Sequence, residues 1–160
     1  MIKINKYYWL IPLIGGVLSL IGLLIPTWYS PPVWVEYWWL IGLIHHITGG
    51  NVIAMAPLEI SIPSLIAAIL IVLCSILIIL NSLLKSREKT LTKNTENLWI
   101  SMAIIEIAAV IFYIIGIQVG YFLHTDRTFW DIYQIRFGTI IPFISAGLTL
   151  TGAIIGKRIK

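Results

Sequence analysis

"PSLIAAILIVLCSILIILNSLL", residues 63–84, runs for 22 residues without a charged side chain. As a helix it would measure about 33 Å at 1.5 Å per residue, enough to cross the ~30 Å hydrocarbon core of a bilayer. Inside that core no water satisfies the backbone, so only a helix or a closed barrel can cross. The run is too long for a strand. Three further apolar segments, 8–25, 98–122 and 138–156, have similar character. The expectation is an all-α membrane protein, a four-transmembrane-helix bundle forming one domain over residues 1–160.

Composition agrees. Of 160 residues, 59% are hydrophobic and 11% charged, with a mean hydropathy of +0.94. A soluble domain carries roughly a quarter charged residues, so too few are present to cover a water-facing surface. Cys74 is the only cysteine and excludes an intramolecular disulfide. Lys3 and Lys6 precede the first apolar run as in a signal peptide, but Pro26-Thr27-Trp28 is a poor cleavage site. That run reads as a retained span.

Nine of the eleven lysines and arginines lie at the N-terminus, in the 85–97 connection and in the C-terminal tail. Only Arg127 and Arg136 fall on the other side. The positive-inside rule then places both termini and the 85–97 loop in the cytoplasm, as in a plasma-membrane protein. Residues 26–62 and 123–137 become outer loops. The charges are set out for orientation, with no basic stacking surface for nucleic acid.

The first outer loop begins "PTWYSPPVWVEYWWLIGLIHH", residues 26–46, with four of the seven tryptophans. Trp28, Tyr29, Trp34, Trp38 and Trp39 read first as an aromatic belt at the headgroup level, together with Tyr121, Phe129, Trp130 and Tyr133 from the second loop. On that reading Trp28, at the span end, tolerates Tyr. A belt does not account for the apolar, β-branched continuation broken at Gly49-Gly50-Asn51, a hairpin signal. The loop is therefore expected to form a small extracellular β-sheet. Residues 33–41 supply one strand, 43–48 and 51–56 a hairpin, and 58–62 a last short strand; an interfacial helix over 34–46 is the alternative. Because adjacent strand residues face opposite ways, one of Trp38 and Trp39 should face the core and the other outward.

Trp28 just after the first span, followed by Trp39, Gly42 and Leu43 in "WWLIGL", joins this topology to a known pattern. The chain resembles the claudin and peripheral myelin protein superfamily, whose first span ends in Trp and whose first outer loop carries Gly-Leu-Trp before two bonded cysteines. Here Ile44 stands at the second Trp of that motif, Trp39 is one residue further from the Gly, and both cysteines are missing. The resemblance implies a sheet-bearing outer domain used for contacts between membrane proteins or between cells.

Few residues suggest chemistry. Glu106 lies deep in the third span, where an ionisable group is a functional candidate by default. Counted from the inner ends, it matches the depth of Gly15, Ser75 and Thr149, and a neutral carboxyl bonded to Ser75, Thr149 or a carbonyl would tie helices together. His45, His46 and His124, all outside, are candidate metal ligands, though neighbours in a strand cannot both face one ion. Gly15 and Ser19, Gly116 and Gly120, and Gly152 and Gly156 are small residues four apart, a spacing that lets helices approach closely.

No nucleophilic triad, phosphate loop or metal-helix motif is present, so no catalytic residue or cofactor is expected. The reading is a non-enzymatic tetraspan. Its outer aromatic cap (Trp28, Trp34, Trp38, Trp39, Gly42, Leu43 and Trp130) would contact another copy or another membrane protein. The alternative is an accessory subunit of a membrane enzyme or transporter, using an outer histidine metal site or Glu106 as an ion or proton group.

Overall fold

The computed structural model describes residues 7–30, 36–47, 52–87 and 94–159, without the side chain of His124. The chain is mostly helical, with one small antiparallel sheet. Helix α1 spans Leu10–Gly22, α2 Leu58–Ser86, α3 Thr95–Thr125 and α4 Phe137–Ile159. They pack in a ring, α1 against α2 and α4, and α3 against α2 and α4. Three of them, α2, α3 and α4, are long and apolar enough to cross a membrane. Helix α1 has 13 residues and stops at Gly22, three residues short of the Ile25-Pro26 pair, where helical backbone is disfavoured.

The helices are greasy outside and small or polar inside. Leu65, Ile69, Leu73, Ile76 and Leu80 of α2 are exposed, while its Ser64, Ala67, Ala68, Ile71 and Ser75 are buried. Helix α1 buries Gly15, Gly16, Ser19 and Gly22; α4 buries Ser145, Ala146, Thr149, Gly152 and Gly156. Water would drive the opposite arrangement. In an apolar medium helices associate through close backbone approach and interhelical hydrogen bonds, which this interior supplies.

Every small-residue pair is used within the chain. A Cβ on Gly116 would lie 2.4 Å from Pro63 Cβ, and one on Gly120 2.6 Å from Glu59 O, both on α2. Gly152 faces Pro12 of α1, Gly156 faces Tyr8 and Glu96, and Gly15 faces Ser145 and Thr149.

At one end of the bundle lies a five-stranded sheet in the order β4-β3-β2-β1-β5, antiparallel throughout. Strands β1 (Trp28–Ser30), β2 (Glu36–Trp38), β3 (Leu43–His46) and β4 (Val52–Met55) come from the loop between α1 and α2, and β5 (Gln134–Ile135) from the loop between α3 and α4. The expected β3–β4 hairpin is present, with His46 opposite Val52 and Leu43 opposite Met55. Its Gly49-Gly50-Asn51 turn lies outside the described residues, as does Trp34.

Two expectations about this loop need correction. Residues 58–62 are not a strand but the start of α2. The run alternates as a strand would, yet Ile60, Ser61, Ser64, Ala67, Ala68 and Ile71 continue one buried helical stripe through it. The stripe extends the helix back to Pro57, and Pro63, taken as the span's beginning, sits inside it. The 34–46 interfacial helix does not form either, since 36–38 and 43–46 are strands. Strands β1 and β5 were not foreseen. They tie the two loops together, with Arg136 N–H donating to Thr27 O at 2.8 Å and Gly138 N–H to Pro26 O at 3.1 Å.

Candidate functional site at the sheet end of the bundle

Gly42 shapes the first hairpin. Trp39 N–H donates to Leu43 O and Gly42 N–H to Trp39 O, both at 2.9 Å, and Gly42 has φ +83°. This is a three-residue Leu40-Ile41-Gly42 connection whose last residue needs left-handed backbone, a conformation glycine adopts without penalty. Its Cα also sits against Ser61 of α2, where an added Cβ would be 3.4 Å away. The Trp39-Gly42-Leu43 spacing therefore encodes a β2–β3 turn seated on a helix.

The sheet has two faces of different character. Trp28, Trp38 and Ile44 turn toward the helices and are buried with Leu40, Ile60, Tyr113, Ile117, Phe129 and Tyr133. Tyr29, Tyr37, Leu43 and His45 are only half buried. On that second face Arg136 lies over the Tyr29 ring at 4.4 Å, Tyr29 is 5.2 Å from Tyr37, and Trp39 is 6.3 Å from His45. Trp39 is half buried and its Nε1–H donates to Leu24 O at 3.2 Å. The alternation of Trp38 inward and Trp39 outward thus follows from strand geometry.

Trp28 departs from the belt reading. It is fully buried, its ring centroid 5.2 Å from that of Phe129 and 5.1 Å from that of Trp130. Its Nε1–H donates to Tyr113 Oη at 3.0 Å. Thr27 Oγ1 donates to Trp38 O at 2.9 Å, so the 2.6 Å contact between Tyr113 and Thr27 is donated by the phenol. Four groups are thereby joined in one directed chain beneath the sheet. Of the expected contact residues, Trp28 and Trp38 are core, and Trp130 is exposed, at 45%. Sequence reasoning missed the apolar surface of β4, where Val52, Ile53 and Met55 are 54%, 66% and 59% exposed. Its signal was present in the apolar run 52–55 following a turn.

Glu36 organises the polar part of the site. Tyr133 Oη donates to Glu36 Oε2 at 2.7 Å, and His46 Nδ1 lies 2.8 Å from Glu36 Oε1. Trp38 Nε1–H adds a longer bond to Oε2 at 3.4 Å. Burial, reinforced by the neighbouring carboxylate, pushes the Tyr133 phenol well above its usual range, so it stays a donor. His45 and His46 fall on opposite faces of β3 and do not converge; the side chain of His124 lies outside the description. Among the described residues no three His, Cys, Asp or Glu side chains gather as a metal set.

Glu106 is buried between α1, α3 and α4, and its partners differ from those expected. Ser19 Oγ donates to its carboxyl, and Ser145 Oγ lies 3.2 and 3.3 Å from the two oxygens while donating to Gly15 O at 2.7 Å. Ser75 instead bonds Ile71 O of its own helix, and Thr149 Oγ1 has no hydrogen-bond partner among the described residues. Helix α3 starts at Thr95, three residues before the expected 98, and α2 runs to Ser86, two beyond the expected 84, so Glu106 and Ser75 remain at matching depth. What differs is direction, the Glu106 carboxyl meeting Ser19 of α1 and Ser145 of α4. Replacement by Gln, which still accepts and donates, is expected to leave thermal stability in detergent unchanged. Replacement by Leu strands Ser19 and should cost about 1 kcal/mol, the modest scale of interhelical hydrogen bonds in membranes.

Compared with protein-family models and with curated proteins, the chain matches none.

Proposed function

We propose that the protein is a non-enzymatic tetraspan of the plasma membrane whose sheet lies outside and makes lateral or cell–cell protein contacts. In this reading α1 is the fourth span. Its helix with the flanking turns covers residues 7–25, about 28 Å if helical throughout, and it packs along α4 and α2. The lysine and arginine distribution supports termini in the cytoplasm. The likeness to claudin and peripheral myelin protein tetraspans belongs to the same proposal, resting on Trp28, Trp39, Gly42 and Leu43 in a domain built largely of sheet.

The observation carrying the contact role is β4. Among the described residues it is an edge strand paired only to β3, and its exposed side chains Val52 and Ile53 are neighbours that point to opposite faces. A headgroup belt wets one face with lipid and has no use for apolar residues on both. An unpaired apolar edge is what an association surface offers.

The test combines sidedness with contact. In a Cys74→Ala background, cysteine at Gly50 should react with an impermeant thiol reagent on intact cells and cysteine at Thr90 should not. Ile53→Lys should then lower crosslinking in membranes several-fold while leaving a single sharp peak in detergent chromatography. Reversed labelling overturns the orientation; unchanged crosslinking overturns the contact role.

A further inference from the structure

Between the sheet and the outer ends of α2 and α3 is a cavity of about 330 Å³, partly open to the surroundings. That volume is at the lower end of small-molecule sites. Three aromatic rings line it, Trp38, Tyr121 and Tyr133, set steeply to one another. Trp38 and Tyr133 meet at 70° with centroids 5.3 Å apart, and Tyr121 and Tyr133 at 85° and 5.7 Å. Glu36 and His46 supply its polar wall. Among the described residues Glu36 is the one carboxylate on that wall, and no lysine or arginine lines the cavity. The pocket therefore combines a fixed negative charge with π faces and apolar walls.

The geometry points to a binding site for a small organic cation, a primary amine or quaternary ammonium carried free or as a lipid headgroup. Ring quadrupoles attract such a cation, and its alkyl groups suit the apolar walls. The carboxylate supplies the counter-charge and is already oriented. Tyr133 and His46 hold its two oxygens from the second loop and from β3, so little ordering remains for the ligand to impose. This site does not depend on the contact role of β4.

Choline titrated into the full chain in maltoside detergent, followed by tryptophan fluorescence, tests the proposal. Saturable binding is expected beyond any effect of equal sodium chloride. Glu36→Gln keeps hydrogen-bonding capacity but loses the charge and should weaken binding about tenfold. Met55→Lys, at an exposed position on the cavity wall, should block binding with its tethered ammonium and decides the matter if Glu36→Gln does not fold. No saturable binding, or unchanged binding in the folded variants, overturns the site. Nanodiscs separate the two sources. A headgroup site is blocked to choline in phosphatidylcholine but open in phosphatidylglycerol, whereas a free-amine site binds choline equally in both.

Discussion

Trp28→Ala is expected to destabilise the protein by about 3–5 kcal/mol, the range for truncating a buried aromatic ring. The indole is fully enclosed and touches three rings from two other parts of the chain: Tyr113 of α3, and Phe129 and Trp130 of the second loop. Its removal opens a cavity and also withdraws the donor from Tyr113 Oη, the first link of the chain through Thr27 to Trp38 O. The surrounding strands are short and cannot collapse into the space without breaking the β1–β5 pairing that joins the loops. Trp28→Tyr should also be clearly destabilising, because a phenol at this position cannot place a donor where the indole N–H lies. Denaturation midpoints in detergent, read by loss of the chromatographic monomer peak, measure both. A Trp28→Tyr protein as stable as the wild type would restore the belt reading.

That belt reading shows where sequence and structure part. Position 28 follows the last apolar residues of α1, and proximity to a span end is all that hydropathy reports. Which way the ring points depends on β1 pairing with β2 and β5, and three residues carry too little periodicity to announce a strand. The β3–β4 hairpin was legible because apolar runs flank a Gly-Gly-Asn turn. The long helices were legible from hydropathy, but their ends were not. Helix α2 begins within an alternating run that mimics a strand, and counting depth cannot report that the Ser75 hydroxyl bonds back to its own helix while Glu106 meets Ser19 and Ser145. Of the candidate site, that Trp38 and Trp39 face opposite ways follows from strand alternation, but which of them is buried does not. The convergence of Glu36, His46 and Tyr133 does not, because Tyr133 is 97 residues from Glu36 in the chain and no local pattern links them.

Gly120→Leu should be as damaging as losing Trp28, for the opposite reason. Even a Cβ at this position would stand 2.6 Å from the carbonyl oxygen of Glu59 and 2.9 Å from its carbon. Those are backbone atoms in the first turn of α2, so no side-chain rotation relieves the contact. One turn earlier, Gly116 meets the ring of Pro63, equally unable to yield. The leucine must therefore push α2 from α3 along their shared seam. Overpacking of this kind costs about 1–3 kcal/mol when neighbours can adjust and more when they cannot. The upper end is expected here, seen as loss of the monodisperse peak. Gly147 provides the control, because no atom lies within 4 Å of its added Cβ; Gly147→Leu projects into open space and should leave the protein unchanged. The same pair of variants distinguishes packing within the chain from packing between chains. If the Gly116–Gly120 ridge were a dimer seam, Gly120→Leu would leave a stable, folded monomer and abolish only crosslinking. Loss of folding with Gly120→Leu, and none with Gly147→Leu, assigns the ridge to the interior of the chain.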